Sequence, residues 1–219
     1  MRVALAGCFV AAALSLAGSA GATSVDSIGD TFSVQFDGNV ATQTLPGLSA
    51  FATFTVTSFD AATGQVVLSI ALQNTTDSSI WQSARVSALG FDVAPTATSA
   101  SASGLFSYAV LGGQFPNQFG PVDVCAINNR NNCSGGGNGG LLIGQNGTIT
   151  MSLSFGGPIT TIDFTNFGVR YQSLSSQSLG LTGASGTGRG TPPVPEPASA
   201  ALFALGVGIV GAALRKRSA

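Results

Sequence analysis

The sequence predicts an all-β protein whose body is an antiparallel β-sandwich of jelly-roll-like type. Two observations lead to this prediction. Apolar residues recur at every second position in several short stretches, and no stretch before residue 198 shows a long helical period once the N-terminal apolar run is set aside. The 14 phenylalanines, most of them within these stretches, are sufficient to fill the core of such a fold.

The clearest alternation lies in two segments. In GTITMSLSF (147–155), apolar side chains occupy one face, and threonines and serines occupy the other. The segment QVVLSIAL (65–72) alternates in a similar way, and the preceding DAATGQ (60–65) predicts a hairpin connection. Weaker candidate strands are 32–36, 51–59, 84–93, 105–111 and 159–171.

Charged residues make up only 8% of the chain, compared with about 25% in an average soluble domain. The surface must therefore be covered by Ser, Thr, Asn, Gln and Gly, which is typical of exported β proteins. Histidine is absent, and between residues 23 and 197 the acidic residues outnumber the arginines. Such a body lacks the basic footprint that nucleic acids require, so we expect no nucleic acid partner.

The N-terminal segment 1–22 has the features of a signal peptide. A single Arg2 precedes an apolar run, and the small residues Ala-Gly-Ala at 20–22 form a signal peptidase site that places the mature start near Thr23. Cys8 lies inside the apolar run rather than after it. We therefore interpret Cys8 as part of the signal peptide and not as a lipidated residue.

A second apolar run, residues 198–214, is interrupted only by Ser199. As a helix it would span roughly 25 Å, close to the hydrocarbon thickness of a membrane. Arg215, Lys216 and Arg217 follow directly, and the positive-inside rule holds this end in the cytoplasm. The run therefore predicts a single transmembrane helix, and its physical properties fit a permanent anchor and a transient stop equally well.

Pro195, Glu196 and Pro197 stand just before this run, and Glu196 is the only glutamate of the chain. Segment 194–219, which joins this motif to the apolar helix and the basic cluster, resembles the PEP-CTERM sorting signal. The resemblance implies that exosortase, a membrane transpeptidase of Gram-negative bacteria that make exopolysaccharide, recognises the three motif residues. It also implies transient anchoring in the inner membrane, removal of the helix and delivery of the body to the cell surface or extracellular matrix.

Segment 173–193 is rich in serine, glycine and threonine, carries one charge and ends in prolines. This composition predicts a flexible stalk that holds the motif away from a body spanning residues 23–172. A last strand reaching Leu179 or Leu181 is the alternative.

Two cysteines remain in the exported part, Cys125 and Cys133. An even cysteine count in an exported chain predicts a structural disulfide closing the loop 125–133, which would contribute about 2–3 kcal/mol. Two thiols without histidine fall short of a zinc site, and their spacing differs from that of a redox pair. The stretch also resembles a subgroup of PEP-CTERM proteins named cistern.

This cysteine loop is rich in asparagine and glycine, which are turn-forming residues. Two sharper interpretations are calcium held by asparagine carbonyls with Asp123, and sugar hydroxyls bound by asparagine amides. Calcium sites usually need more than one carboxylate, so we expect no metal and no cofactor.

We therefore expect a non-catalytic surface or extracellular-matrix protein associated with exopolysaccharide or biofilm. The first alternative is a secreted carbohydrate-binding module, in which Trp81 would stack on a sugar ring, although a core position is the preferred interpretation of Trp81. The second alternative is a carboxylate-based glycoside hydrolase. Without histidine no Ser-His-Asp or Cys-His arrangement exists, and the eight aspartates are scattered singly.

Overall fold

A computed structural model of the chain describes residues 22–128, 133–134 and 139–192. The predicted signal peptide up to residue 21 and the predicted sorting segment 194–219 lie outside the described residues. Every regular element in the described part of the chain is a β-strand. That part contains no helix long and apolar enough to cross a membrane.

The described residues form fourteen strands, which pair in antiparallel fashion within one sheet. The strands are β1 Thr23–Val25, β2 Thr31–Phe36, β3 Asn39–Val40, β4 Gln43–Thr44, β5 Ala50–Asp60, β6 Gln65–Asn74, β7 Ser83–Ala94, β8 Ser99–Gly104, β9 Tyr108–Phe115, β10 Gly120–Ile127, β11 Leu141–Leu142, β12 Asn146–Ser154, β13 Ile162–Ser176 and β14 Leu181–Thr191.

The main strand order is β8-β12-β6-β5-β2-β14-β13-β7-β10-β9. The sheet curls back so that its two halves face each other, and β8 and β9, at the two ends of this order, contact one another. A cavity of about 290 Å³ lies between these two strands. The prediction of an all-β antiparallel fold is confirmed in the form of a nearly closed, sandwich-like sheet, and the jelly-roll-like connectivity stays a prediction.

Phenylalanines from both halves of the sheet meet in the core. The rings of Phe32 and Phe54 stack with their centroids 4.7 Å apart, and Phe54 also meets Phe91 at 5.7 Å and Phe167 at 5.6 Å. These rings come from β2, β5, β7 and β13, so the contacts join the two halves. Aromatic pairs contribute about 0.5–1.5 kcal/mol each beyond the area they bury, and this cluster therefore helps to hold the halves face to face.

The predicted alternation is confirmed in β6 and β12, which are neighbours in the sheet. Ile149 lies opposite Ile70, and Met151 lies opposite Leu68. All four side chains are fully buried, whereas Thr148, Thr150 and Ser152 on the other face of β12 are exposed. The predicted hairpin at 60–65 connects β5 to β6.

The prediction of a flexible stalk over 173–193 is wrong for the residues that the structure describes. β13 continues to Ser176, the chain turns at 177–180, and β14 then runs back along β13. β14 lies between β13 and β2 and thereby joins the two halves of the sheet. The body therefore extends to Thr191 instead of ending at residue 172.

Glycines explain why β14 lacks a hydrophobic pattern. The strand reads LTGASGTGRGT, and a Cβ added to Gly190 would lie 2.5 Å from Val34 Cγ1 and 2.6 Å from Phe167 Cβ. A Cβ on Gly186 would lie 2.5 Å from the carbonyl oxygen of Asn39. The backbone of β14 thus packs directly against its neighbours, and glycine is the residue that permits this close approach.

Candidate functional site

Trp81, the residue that the sequence suggests for sugar stacking, is a core residue. Its side chain is 1% exposed, and its indole N–H donates a hydrogen bond of 3.0 Å to the carbonyl oxygen of Pro46. A ring without an exposed face cannot stack on a saccharide. The stacking role is therefore wrong, and the preferred core interpretation describes this residue.

Cys125 and Cys133 are joined by a disulfide, the pairing that the sequence predicts. Both cysteines are fully buried and pack with Phe115, Phe119 and Val122 in a small apolar cluster separate from the main core. Burial within a packed cluster fits a structural role, because a reactive thiol pair needs partial exposure.

Asp123, the carboxylate considered for calcium, is engaged within the sheet. Its Oδ2 accepts a hydrogen bond of 3.1 Å from the backbone N–H of Val93, and its own N–H donates to Asp92 Oδ1 at 2.9 Å. Asn128 Oδ1 accepts the backbone N–H of Ser107 at 3.1 Å. Within the described ranges, no group of three or more His, Cys, Asp or Glu side chains is placed to hold a metal ion. The other asparagines of the loop lie outside the described residues: 129, 131, 132 and 138.

Other aspartates also accept hydrogen bonds from nearby groups. Asp92 Oδ2 accepts the side-chain amide of Asn166 at 3.0 Å. Asp30 Oδ2 accepts the backbone N–H groups of Asp26 at 2.9 Å and Ser27 at 3.0 Å, and these bonds lower the pKa of Asp30. Such bonds stabilise the ionised carboxylate, whereas the general acid of a glycosidase needs a raised pKa.

A polar pocket of about 170 Å³, termed the amide pocket, opens beside β14. Three separate segments build it: the chain around β3 (37–42), the turn between β9 and β10 (117–119), and β14 itself. Its lining consists of Asp37, Asn39, Thr42, Asn117, Gln118, Phe119, Thr187 and Arg189.

Arg189, which lines this pocket, is fixed by contacts with Phe119 and Asp37. Its guanidinium lies over the ring of Phe119, 4.4 Å from the centroid, and its Nη2 donates to the Phe119 carbonyl oxygen at 3.1 Å. Its backbone N–H donates to Asp37 Oδ1 at 2.6 Å. The pocket lining thus carries one cation and one carboxylate.

Two further features mark the amide pocket. Asn39 Oδ1 is buried and has no hydrogen-bond partner among the described residues, although buried polar atoms normally have one. Thr42, Asn117 and Gln118 have left-handed backbones, with φ of 73°, 57° and 61°. Such conformations are uncommon for residues other than glycine and cluster at functional sites.

Tyr171 anchors the pocket to the core. Its buried hydroxyl donates to the carbonyl oxygen of Asp37 at 3.0 Å. Burial, with a smaller contribution from the Asp37 carboxylate, raises the pKa of Tyr171 well above its usual range. The hydroxyl therefore stays protonated and keeps donating, which fixes the chain that leads into the pocket.

Sequence reasoning missed the amide pocket because its residues are far apart in the chain. The only local signals are two groups of turn-forming residues, Asp-Gly-Asn at 37–39 and Pro-Asn-Gln at 116–118. Arg189 lies in the segment predicted as a stalk. A stalk residue would have no fixed partner, so no pattern pointed to this arginine.

The predicted sorting segment lies outside the described residues, and comparison with known families decides its nature. A family model described as the PEP-CTERM protein-sorting motif matches residues 193–218. The chain carries a PEP-CTERM sorting signal. The matched range includes Pro195, Glu196, Pro197, the apolar run 198–214 and the basic cluster 215–217. No curated protein and no solved structure matches the chain.

The PEP-CTERM signal indicates an exported protein that is sorted at the membrane of a Gram-negative bacterium and processed by exosortase. In this chain the signal follows the body directly. Thr191 is the last residue of β14, and the match begins at residue 193. The stalk expected between body and signal is replaced by a strand of the sheet.

Proposed function

We propose that this PEP-CTERM protein is a non-catalytic surface or extracellular-matrix protein, associated with exopolysaccharide and delivered by exosortase. The sorting signal at residues 193–218 is the observation that carries the proposal. The composition supports it, because a body with few charges and a surface of small polar residues suits a hydrated polysaccharide environment. The signal peptide predicted at 1–22 supplies the export step, with signal peptidase as the first processing partner.

A non-catalytic role is supported by the side chains that are present. The chain has no histidine, the commonest general acid or base. Asp30, Asp92 and Asp123 hold backbone or amide groups in place. A carboxylate-based glycoside hydrolase is therefore the least supported alternative.

Replacing Glu196 and Pro197 by alanine is expected to block processing. The motif would lose the residues that the exosortase recognises, so the chain should stay in the membrane with its C-terminal segment attached. Intact mass of the exported and membrane fractions measures this outcome directly. The matched control is Ser199→Ala, which leaves the motif and the apolar run intact and should be processed like the wild type. Normal export and cleavage of the Glu196/Pro197 variant would refute the proposal.

A carbohydrate-binding module is the second candidate function, and the amide pocket is the observation that favours it. Amide, hydroxyl and guanidinium groups can pair with the hydroxyls of a neutral sugar, and the balanced charge of Asp37 and Arg189 suits such a ligand. The volume of about 170 Å³ suits one sugar unit of a longer chain rather than a large ligand.

Arg189→Met is expected to abolish saccharide binding by the pocket while the fold is retained. Methionine keeps an apolar contact with Phe119 but removes the guanidinium donors. Calorimetric titration with the host exopolysaccharide and with neutral polysaccharides measures the loss. Arg85→Met, which removes a guanidinium outside the pocket, is the control and should bind normally. Equal binding by the two variants would exclude the pocket as the sugar site.

A further inference from the structure

We infer that one end of the sheet, where β13 begins, is the surface that the folded body presents to exosortase during processing. This surface, termed the anchored end, comprises β1, the turn that follows it (26–30), residues 162–166 and the C-terminal end of β14. The inference rests on the proposed sorting by exosortase. It goes further in two respects: it identifies the surface of the body that contacts the enzyme, and it limits the distance between that surface and the motif.

Both ends of the body meet at one edge of β13. β1 pairs there, with Thr23 opposite Phe164. β14 pairs with β13 further along, with Arg189 opposite Gly168. β7 pairs with the other edge of β13, including residues 163–165, so β1 and β14 must lie on the same edge. The chain therefore enters β1 and leaves β14 at nearly the same point of the sheet.

The two segments that the sequence assigns to the membrane both attach at this point. The predicted signal peptide ends just before Thr23, and the sorting signal begins at residue 193. A body tethered through either segment turns its anchored end toward the membrane. The turn between β13 and β14 (177–180) lies at the opposite end of these strands and points away from it.

The segment between the last strand and the motif, residues 192–194 and termed the tether, is short. Thr191 pairs with Gln35 of β2, and Pro192 is buried. A fully extended chain spans at most about 3.6 Å per residue, so Pro195 lies within roughly 14 Å of the Cα atom of Thr191. A membrane enzyme that acts on this motif therefore works close against the folded body.

The anchored end is acidic. Asp26 and Asp30 follow β1 directly, and Asp163 lies opposite Ser24 of β1. Backbone hydrogen bonds from Asp26 and Ser27 lower the pKa of Asp30. Anionic phospholipid headgroups repel such a surface. We therefore assign this face to the enzyme and not to the lipid.

Spacer variants of the full chain, expressed in a host that carries the exosortase, test the reach. Deleting residues 193–194 shortens the tether by up to about 7 Å, and we expect loss of processed protein and accumulation of the uncleaved chain in the membrane. The double substitution Pro193→Gly and Val194→Ser keeps the length and should be processed like the wild type.

A pair of lysine substitutions tests the face. Asp26→Lys reverses an exposed charge at the anchored end, and Gln177→Lys adds a charge at the opposite end. We expect several-fold slower processing of the first variant, measured by pulse-chase, and wild-type processing of the second. Thermal unfolding of both exported bodies confirms that the fold is retained.

These outcomes separate the inference from the sorting proposal. Normal processing of the variant that lacks residues 193–194 overturns the inference. Failed processing of the Pro193→Gly, Val194→Ser variant also overturns it, because the defect would then come from the sequence of these residues and not from the length of the segment. Equal processing of the two lysine variants overturns the assigned face. The sorting proposal itself fails only if the Glu196/Pro197 variant is cleaved normally.

Discussion

A body truncated after residue 180 is expected to lose its cooperative unfolding transition, whereas a body that ends at residue 192 keeps it. β14 pairs with β13 on one edge and with β2 on the other, so it connects the two halves of the sheet. Its removal leaves both neighbours with unpaired backbone groups. It also opens the packing around Phe167 and Tyr171, which lie beneath β14. Unpaired buried backbone groups and an opened core together exceed the small net stability of a single domain.

Circular dichroism during denaturation with guanidinium chloride measures this difference on the two exported bodies. The longer body should show one sigmoidal transition, and the shorter body should show a gradual change without a midpoint. If residues 173–193 formed a stalk, the two bodies would unfold alike. Identical transitions would therefore contradict the central position of β14.

A single substitution tests the same strand without deleting it. Gly190→Val places a branched side chain against Val34 and Phe167 and is expected to destabilise the body by about 1–3 kcal/mol. The control is Thr182→Val, at an exposed position of the same strand, where we expect a change within about 0.5 kcal/mol. Equal stability of the two variants would indicate that β14 is not packed against the core.

Trp81→Ala is expected to lower the free energy of unfolding by about 3–5 kcal/mol. Trp81 is fully buried in the main core, and its removal leaves a large cavity that the surrounding strands fill only in part. The carbonyl oxygen of Pro46 also loses its indole donor. The same denaturation experiment, followed by circular dichroism because Trp81 is the only tryptophan, measures the effect.

Trp81→Phe is the matched control for this prediction. Phenylalanine keeps most of the buried aromatic volume and loses the hydrogen bond, so a smaller destabilisation is expected than for alanine. Wild-type stability of Trp81→Ala, combined with loss of saccharide binding, would contradict the core position and restore the stacking role.

The parts of the fold that the sequence predicts well are those with a periodic apolar pattern. β6 and β12 place Ile70 and Ile149 on a buried face and polar residues on the other, and that alternation is written directly in the chain. Strands built mainly from small residues lack such a pattern and cannot be predicted from it. β8 reads SASASG and β14 is rich in glycine, so neither carries an apolar face by which to find it.

The candidate site was beyond prediction for a related reason. Asp37, Asn117 and Arg189 belong to three distant segments, and their proximity depends on the pairing of β3 with β14 and on the turn between β9 and β10. The sequence favours a core position for Trp81 without identifying its contacts, because its polar neighbours in the sequence lie outside the core that receives its ring. Local composition does not contain these contacts.

What the sequence by itself determined is export, the disulfide pairing and the PEP-CTERM signal. A sorting enzyme reads such a signal as a short linear segment, and the two exported cysteines leave a single intramolecular pairing. Only the tertiary structure decided that a glycine-rich segment joins the two halves of the sheet, which contacts bury Trp81, and that both ends of the described body meet at β13. The physical reason is that these features arise from contacts between strands that are distant in sequence. Close approach of two strands requires glycine, and burial depends on the neighbouring strands, so neither is visible in the local sequence.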